Sequence, residues 1–417
     1  MPLARVCAIT CDCYPADPLV RRTAESAARA GHEYHVICSQ DVGQSSFEIY
    51  NGVQIHRIYM PGGHGKPLGR ITANPFGRTV FLWSIFMFLA AFRVARLHLA
   101  TKFDVIHVHN FPDFLVFAAL IPKVFGAKVI LHVQDLAPEL VAVKINGVFR
   151  KIVLPLSKLE ERASTKFADH VITVGWPFEP SLLKRGVPLR KLSIVLNSAD
   201  PNTFSIDKRT DPFVEFATPD RPLLLMYHGT FADRCSLDVA ISAFARARTR
   251  APHLRLHFMG AGESETRLKD LVQDLGISDH VSFLPMGPVE LVPKFVANGD
   301  IGIIPYRSDG FMDLLLPTKA YEFAWMHRPI IASDLMGIRS LFRPESVRLC
   351  KPSDVDSFAD AIVDLYEHPE KRAKMVANAA SDYEKFRWEL SAEKYQQVLA
   401  SLVQKKATHQ ADLQRAA

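Results

Sequence analysis

The chain has 417 residues, of which 48% are hydrophobic and 23% charged, so it is long enough for two globular domains that need no covalent staples. No pair among the six cysteines has zinc-ligand spacing, and Cys11-Asp12-Cys13 is not a CxxC motif. We therefore expect free thiols in a reducing cytoplasm and no structural metal site.

Positive charge is concentrated near the N-terminus, although the net charge of +6 is modest. The first apolar run, Val6–Thr10, has no charged leader and no cleavage site, so it predicts a buried strand and not a signal peptide. From Ile49 to Phe103 there is no acidic residue, which favours an anionic partner. This basic stretch is packed with Phe and Leu in a helix-like run and is not spread over an exposed groove, so nucleic-acid binding is not expected.

Within that stretch, the apolar segment Val80–Phe92 is shorter than the roughly 20 residues of a spanning helix. We expect it to lie in a membrane interface, although a helix packed against its own sheet is the alternative. A second basic and apolar run, from Lys144 to Lys158, could join it. The residues predicted for the membrane or acceptor side are Arg78, Trp83, Arg93, Arg96 and Lys151.

Short apolar strands alternate with longer amphipathic helices, which predicts parallel sheets covered by helices on both faces. The predicted strands are Val6–Thr10, Tyr34–Cys38, Val105–His109, Lys128–Leu131, Val171–Val174, Leu223–His228, Arg255–Met259, Val281–Leu284, Ile301–Pro305 and Pro329–Ala332. The predicted helices include Leu19–Ala30, Phe114–Val124, Leu237–Arg246, Glu265–Leu275 and Ser357–Glu367.

A polar stretch near Asn197–Pro212 separates the two series of strands, and we place the domain boundary there. The predicted domains are residues 1–198 and 199–384. A helix over about 385–403 is expected to pack back on the first domain, and the polar tail 404–417 is expected to fray.

Glycines follow two strands of the second series. Gly229 and Thr230 end one strand and Arg234 follows, while Gly260 and Gly262 form a GxG after the next. Backbone amides at such strand ends bind phosphates, so these residues are candidates for a nucleotide site. Each pattern by itself is equally compatible with a structural turn.

The segment Pro317–Ala324 predicts a helix whose first turn carries a lysine. A cation is unfavourable at a helix N-terminus, so Lys319 suggests that an anion such as a phosphate binds there. Glu322 lies one turn on, and its two oxygens suit the vicinal diol of a ribose. The alternative is a surface pair worth a few tenths of a kcal/mol.

The order of these motifs resembles glycosyltransferase family 4, which has the GT-B fold of two Rossmann-like domains with parallel sheets facing across a cleft and which retains the stereochemistry of the sugar. The resemblance runs from about Val6 to Trp388. Two of its motifs, Asp-Leu-x-Pro-Glu and Leu-Pro-Thr-Lys, are similar to those of the branch that builds bacterial surface polysaccharides. The motifs that carry it are Asp17–Arg22, Gly31–Glu33, Asp104–His109, Asp135–Glu139, Asn197–Asp200, His228–Thr230, Asp300–Gly302 and Pro317–Ala332.

The resemblance implies that Glu322 holds the donor ribose and that Lys319 and Arg234 meet the diphosphate. An acidic residue faces the donor sugar in this family, and both Asp309 and Asp313 are candidates. His132 and Asp135 follow a strand that faces the acceptor or the transferred sugar. His132 could instead cap the end of its strand.

The family also implies front-side displacement, in which the leaving diphosphate takes the proton of the acceptor. No metal and no cofactor are expected, because cations and helix dipoles stabilise the charge and the nucleotide-sugar is a substrate. Asp354-Val355-Asp356 is interpreted as a helix N-cap and not as a metal-binding Asp-x-Asp.

The expected partners are a nucleotide-sugar donor, a glycan or lipid-linked acceptor and a membrane surface. The expected location is cytoplasmic, with peripheral contact to the inner face of the plasma membrane. Two other functions stay open: a UDP-sugar 2-epimerase on the same fold, and an inactive protein that binds nucleotide-sugar or membrane. The segment that departs from the family's N-terminal Gly-Gly loop, Pro15–Pro18, gives the inactive protein some weight.

Overall fold

The computed structural model describes residues 3–60, 75–205 and 217–416, the side chains of 75, 76, 78 and 405–416 excepted. The chain forms two compact units. Unit 1 comprises Met1–Leu196 and Glu389–Ala417, and unit 2 comprises Asn197–Trp388.

Unit 1 contains an eight-stranded sheet in the order β3-β4-β2-β1-β5-β6-β7-β8, parallel except for the antiparallel pair β3 and β4. Its strands are β1 Arg5–Ile9, β2 Glu33–Ser39, β3 Phe47–Tyr50, β4 Val53–Ile58, β5 Val105–His109, β6 Lys128–Val133, β7 His170–Thr173 and β8 Leu192–Ile194. Its helices are α1 Pro18–Arg29, α2 Pro75–Thr101, α3 Leu120–Val124, α4 Ala137–Lys144, α5 Gly147–Phe167 and α6 Glu179–Lys184, together with the C-terminal helix given below.

Unit 2 contains a six-stranded, fully parallel sheet, whose strands are β9 Leu223–Thr230, β10 Leu254–Ala261, β11 Val281–Pro285, β12 Ile301–Ile304, β13 Ile330–Ser333 and β14 Arg348–Cys350. The strand order is β11-β10-β9-β12-β13-β14. The helices are α7 Leu237–Ala247, α8 Glu265–Asp274, α9 Leu291–Ala297, α10 Thr318–Trp325, α11 Met336–Leu341, α12 Val355–Glu367 and α13 Pro369–Tyr383. Beside β9 the order reverses from β10 to β12, which is the point where such sheets bind ligands.

The C-terminal helix α14, Trp388–Ala416, packs on the sheet of unit 1. Tyr395 and Leu399 are buried in the same core cluster as Val6 and Tyr34. The hydroxyls of Tyr395 and Tyr34 lie 2.9 Å apart, so two buried polar groups satisfy each other. The chain therefore returns to the first unit after it has completed the second.

Local sequence explains the helix starts. The Asp17 carboxylate accepts hydrogen bonds from the amides of Leu19 and Val20 and caps α1. Asp354 caps α12 in the same way through the amide of Ser357, as the sequence predicts. All six cysteines are buried and unbridged.

Three expectations about helices are wrong. The segment predicted as the helix Phe114–Val124 is a 3₁₀ segment, Asp113–Ala119, followed by the short α3. The polar tail does not fray at residue 404, because α14 continues to Ala416. That tail is rich in Ala, Gln and Lys and has no Gly or Pro, so its residues favour a helix by propensity.

The third correction concerns α2, which is 27 residues long and not limited to Val80–Phe92. Within it, Thr79–Thr101 is long and apolar enough to cross a membrane, and only 17% of its most hydrophobic window is buried. One such helix is weak evidence of a span, since core helices of soluble proteins meet the same criteria. Phe86, Ala90 and Val94 form a buried stripe at four-residue spacing, so one face of α2 packs against the unit.

Candidate functional site

In unit 2, glycines at the ends of β9 and β10 allow close approach of the backbone. Gly229 has a φ of +120°, where an L-residue is strained, and a Cβ there would lie 3.6 Å from Nζ of Lys319. A Cβ on Gly260 would overlap the carbonyl oxygen of Gly229, and one on Gly262 would overlap that of Phe231. The GxG motif is therefore required by strand packing in this structure, whereas Gly229 is required by its positive φ and lies in contact distance of the Lys319 ammonium.

Lys319 lies in the first turn of α10 and is only 6% exposed. Its ammonium donates a hydrogen bond to the Tyr306 hydroxyl and lies 4.8 Å from the ring centroids of both Tyr227 and Tyr306. Burial opposes the charged form, but the Tyr306 hydroxyl and Glu322 hold the pKa of Lys319 above its usual value. Burial raises the pKa of Tyr306. Lys319 is therefore a buried cation beside a neutral phenol.

Glu322 lies one turn further along α10 and is 5% exposed. Its Oε2 is 3.3 Å from Nε2 of His228, the residue before Gly229. The His228 ring packs edge-on against Phe323, with centroids 5.4 Å apart. These contacts bring a carboxylate, an imidazole and the Lys319 ammonium to the carboxyl ends of β9 and β12.

Arg234 adds a second positive charge to this edge of the sheet. It lies in the 3₁₀ turn Asp233–Cys235, and its charge opposes the effect of burial on the pKa of Tyr306. In the described parts of the chain, no carboxylate forms an ion pair with Arg234. Thr230 is exposed at the end of β9, and its carbonyl accepts a hydrogen bond from the Tyr227 hydroxyl.

The loop after β12 carries both acidic candidates, and each has a structural partner. Oδ1 of Asp309 accepts hydrogen bonds from the amides of Phe311 and Met312, at 2.9 and 2.7 Å. The Asp313 carboxylate accepts from the Ser308 hydroxyl at 2.9 Å. Asp309 thus fixes the backbone of the loop, and its assignment and that of Asp313 to the donor sugar stay predictions.

In unit 1, Asn110 organises the turn that carries Asp135. Its Oδ1 accepts from the amides of Gln134, at 2.7 Å, and Asp135, at 3.4 Å. Its Nδ2 donates to the Asp135 carbonyl and to Oδ1 of Asp113, at 2.8 and 2.7 Å. Asp135 itself is half-buried. Sequence reasoning missed Asn110, although its position directly after β5 was a usable signal.

His132 lies in a buried cluster of three histidines at the ends of β5 and β6. Nδ1 of His132 is 3.2 Å from Nε2 of His107, and Nδ1 of His107 is 2.8 Å from the Tyr395 hydroxyl. The side-chain nitrogens of His107, His109 and His132 all lie within 4.8 Å of one another. Burial lowers the pKa of His132 to about 3, so the ring is neutral at physiological pH. His132 is fully buried, which the sequence did not indicate.

The end of the Asp135–Glu139 motif has a structural role. Arg185 donates to Glu139 at 2.7 Å and to Oε2 of Glu161 at 2.9 Å, so one guanidinium joins α4, α5 and the end of α6. Tyr306 completes the residues that sequence reasoning missed, and its place directly after a predicted strand was its only signal. His228 belongs to the motif His228–Thr230, but sequence reasoning assigned it no role of its own.

The predicted membrane-side residues lie on α2 and α5. The Trp83 ring packs on Phe111, with centroids 5.8 Å apart, so it faces the turn beside Asn110. Arg93 is half-buried, and Arg96 and Lys151 are exposed. The side chain of Arg78 lies outside the described residues. The contact of these residues with a membrane stays a prediction.

Comparisons with known families cover most of the chain. A family described as "Glycosyl transferases group 1" matches residues 208–382, and one described as "Glycosyl transferase 4-like domain" matches residues 17–198. An uncharacterized glycosyltransferase of Methanocaldococcus jannaschii is 23% identical over 88% of this chain and 89% of its own length.

Other curated relatives match over shorter segments, and the chain spans 49% to 60% of the length of several of them. A putative colanic acid biosynthesis glycosyl transferase of Escherichia coli is 25% identical over 48% of this chain and 49% of its own. The solved structure of Anabaena HepE in complex with UDP-glucose has a TM-score of 0.67 and 14% identity, covering 95% of this chain and 100% of that one. The two glycosyltransferase family models match consecutive parts of the chain, and the fold agrees with that of the solved HepE structure. The chain is therefore a glycosyltransferase of the family 4 type with the GT-B fold.

Proposed function

We propose that this glycosyltransferase binds a nucleotide-sugar at the strand ends of unit 2 and transfers the sugar, with retention, to a lipid-linked glycan in cell-surface polysaccharide synthesis. The observation that carries the proposal is the buried cation Lys319. A charged ammonium that is 6% exposed at the positive end of a helix is costly unless an anion compensates it.

The donor diphosphate supplies that anion. Gly229 keeps the space beside the ammonium free of a Cβ, and Arg234 offers a second cation with forked donors. Glu322 lies one turn from Lys319, where its carboxylate accepts hydrogen bonds from the ribose hydroxyls. The complex of Anabaena HepE with UDP-glucose supports a nucleotide-sugar as the donor class.

In the transfer step, the bond between the sugar and the diphosphate breaks while the acceptor oxygen attacks from the same face. The acceptor proton passes to the departing diphosphate. Lys319 and Arg234 stabilise the charge that develops there, so the reaction needs neither a metal nor a cofactor. Asp135 is the proposed acceptor-side carboxylate, since His132 is buried in its cluster.

The lipid-linked acceptor is supported by exposed apolar side chains on unit 1. Phe81, Phe88, Phe92 and Leu99 of α2 are exposed and recur along one face of the helix. A monomeric soluble protein rarely exposes such a stripe. The relative named for colanic acid biosynthesis supports a role in polysaccharide synthesis. The proposed site of action is the cytoplasmic face of the plasma membrane.

Calorimetric titration with UDP-, GDP- and ADP-sugars tests the donor site. Lys319→Met should weaken binding of the best donor at least about tenfold, because a charge-assisted hydrogen bond contributes about 1.5–3 kcal/mol. Lys294→Met, which removes an exposed lysine from α9 of the same unit, is the matched control. Equal affinities in the two variants would exclude this donor site, and conversion of the donor without any acceptor would indicate an epimerase.

A further inference from the structure

A pocket in unit 1 lies between α5 and the end of α6, remote in sequence from the donor residues. Its lining consists of Lys158, Leu159 and Arg162 from α5 with Lys184, Arg185 and Gly186 from the end of α6. The cavity volume is about 350 Å³, which is enough for a phosphate diester with a small headgroup.

The pocket holds three cations that no carboxylate neutralises. In the described residues, Lys158, Arg162 and Lys184 form no ion pair, and all three are exposed. Arg185 differs, because Glu139 and Glu161 both bind its guanidinium. Four cations against the two carboxylates on Arg185 leave an excess of about two positive charges in one concave site, which favours a phosphate.

An apolar stripe on α5 begins at the pocket. Val148, Ile152, Leu156 and Leu159 recur at three- and four-residue spacing, and each is 60–73% exposed. Leu159 belongs to both the stripe and the pocket lining. Lys151, Lys158 and Arg162 form a basic stripe next to the apolar one, the pattern of a helix that lies in a membrane interface.

Two other helices of unit 1 also expose apolar side chains. The short helix α3 exposes Leu120, Ile121, Val124 and Phe125, and it contacts α2. Both of these helices and α5 contact the same 3₁₀ segment, Asp113–Ala119. The basic pocket itself borders the apolar stripe of α5 through Leu159, and an amphiphile with an anionic head matches both parts.

We propose that this pocket binds the phosphate of an anionic phospholipid whose acyl chains lie against the apolar stripe of α5. The inference rests on the membrane-surface part of the proposed function and not on the donor site. The pocket cations fix the height and orientation of α5 at the headgroup level, while the stripe enters the acyl boundary. Neutral phospholipids satisfy the apolar stripe but leave the three cations uncompensated.

Vesicle co-sedimentation of the full chain tests the proposal, with vesicles of phosphatidylcholine alone and with added phosphatidylglycerol. The wild-type protein should prefer the anionic vesicles. The triple variant K158Q/R162Q/K184Q should bind them about a hundredfold less tightly, since each cation near an anionic surface contributes about 1 kcal/mol. The variant I152S/L156S should lose binding to both kinds of vesicle.

The matched control, K144Q/R150Q/R190Q, removes three exposed positive charges of unit 1 that lie outside both the pocket and the basic stripe. It should lose at least tenfold less affinity than the pocket variant. Equal losses in the two triple variants, no preference for anionic vesicles, or self-association through the stripe in place of vesicle binding would each overturn the proposal. Lys319→Met should bind vesicles like the wild type, so failure of the donor site and failure of the pocket are distinguishable.

Discussion

The carboxyl ends of the parallel strands carry uncharged rings in unit 1 and charged side chains in unit 2. In unit 1, burial lowers the pKa of His107, His109 and His132, and the rings stay neutral. In unit 2, Lys319 is buried to a similar degree but stays charged. The two sheets share a parallel architecture, so the difference comes from a few side chains at the strand ends.

The comparison indicates which unit is prepared for an anion. The neutral imidazoles of the cluster bond to one another, to Tyr395 and to Gln134, although among the described residues Nε2 of His109 and Nε2 of His132 have no partner. Uncharged rings offer an anion no positive charge to bind. The buried ammonium of Lys319 lies at a helix N-terminus among tyrosine rings, the Cys235 thiol and Glu322, so a phosphate improves its environment. That contrast is the basis for proposing the donor site in unit 2.

The largest expected effect is at Glu322. Glu322→Gln should reduce release of nucleoside diphosphate about a hundredfold, because the two hydrogen bonds proposed between this carboxylate and the ribose would lose their charge assistance. Circular dichroism should show an unchanged fold. Glu263→Gln, at an exposed position in the same unit, is the control. Turnover near the wild-type rate in Glu322→Gln would contradict the assignment of Glu322 to the donor site of unit 2.

The second prediction concerns the close packing of backbone at the strand ends of unit 2, which can be tested without changing any charge. Gly260→Ala should destabilise the fold by about 2–4 kcal/mol, because its Cβ would overlap the Gly229 carbonyl oxygen. Urea denaturation measures the loss. Gly310→Ala, where nothing lies within 4 Å of the added Cβ, should change stability by less than about 1 kcal/mol. Similar losses at both positions would contradict the packing explanation.

The third prediction tests whether the hydrogen bonds of Asn110 to the turn that carries Asp135 help to position the acceptor. Asn110→Ala should destabilise the protein by about 1–3 kcal/mol, since it leaves the amide of Gln134 and the carbonyl of Asp135 without their partner. If this turn positions the acceptor, the KM for acceptor should rise while donor affinity stays constant. A loss of stability with an unchanged acceptor KM would assign Asn110 a purely structural role.

The smallest expected effect is a change in pH dependence. Burial raises the pKa of Asp113 from 3.8 to about 8, so the folded protein holds a proton that the unfolded chain releases. The stabilisation from this group is complete below about pH 4 and is lost as the pH rises toward 8. Asp113→Asn should therefore show a thermal midpoint that falls less between pH 5 and pH 8 than that of the wild type.

Glu160 and Glu161 contribute in the same direction, because burial raises the pKa of each to about 7. Part of the pH dependence should therefore persist in Asp113→Asn. Identical pH profiles for the variant and the wild type would show that Asp113 is ionised in the folded protein.

Much of the architecture was determined by the sequence itself. Apolar runs such as Val105–His109 are buried on both faces, so the sequence predicts them as strands without any knowledge of their neighbours in the fold. The helix that begins beside Pro317 and the pairing of Lys319 with Glu322 one turn later follow from helical spacing alone. These features depend on local chemistry, which the order of residues encodes directly.

Only the tertiary structure decided what surrounds each charged or polar group. Nothing in the sequence places Tyr306 on Lys319, Asn110 on the turn of Asp135, or Lys184 beside Lys158. It also decided that His132 is enclosed and that the α5 stripe is exposed. Such contacts join residues far apart in the chain, and burial and pKa depend on those neighbours, so no local pattern carries them.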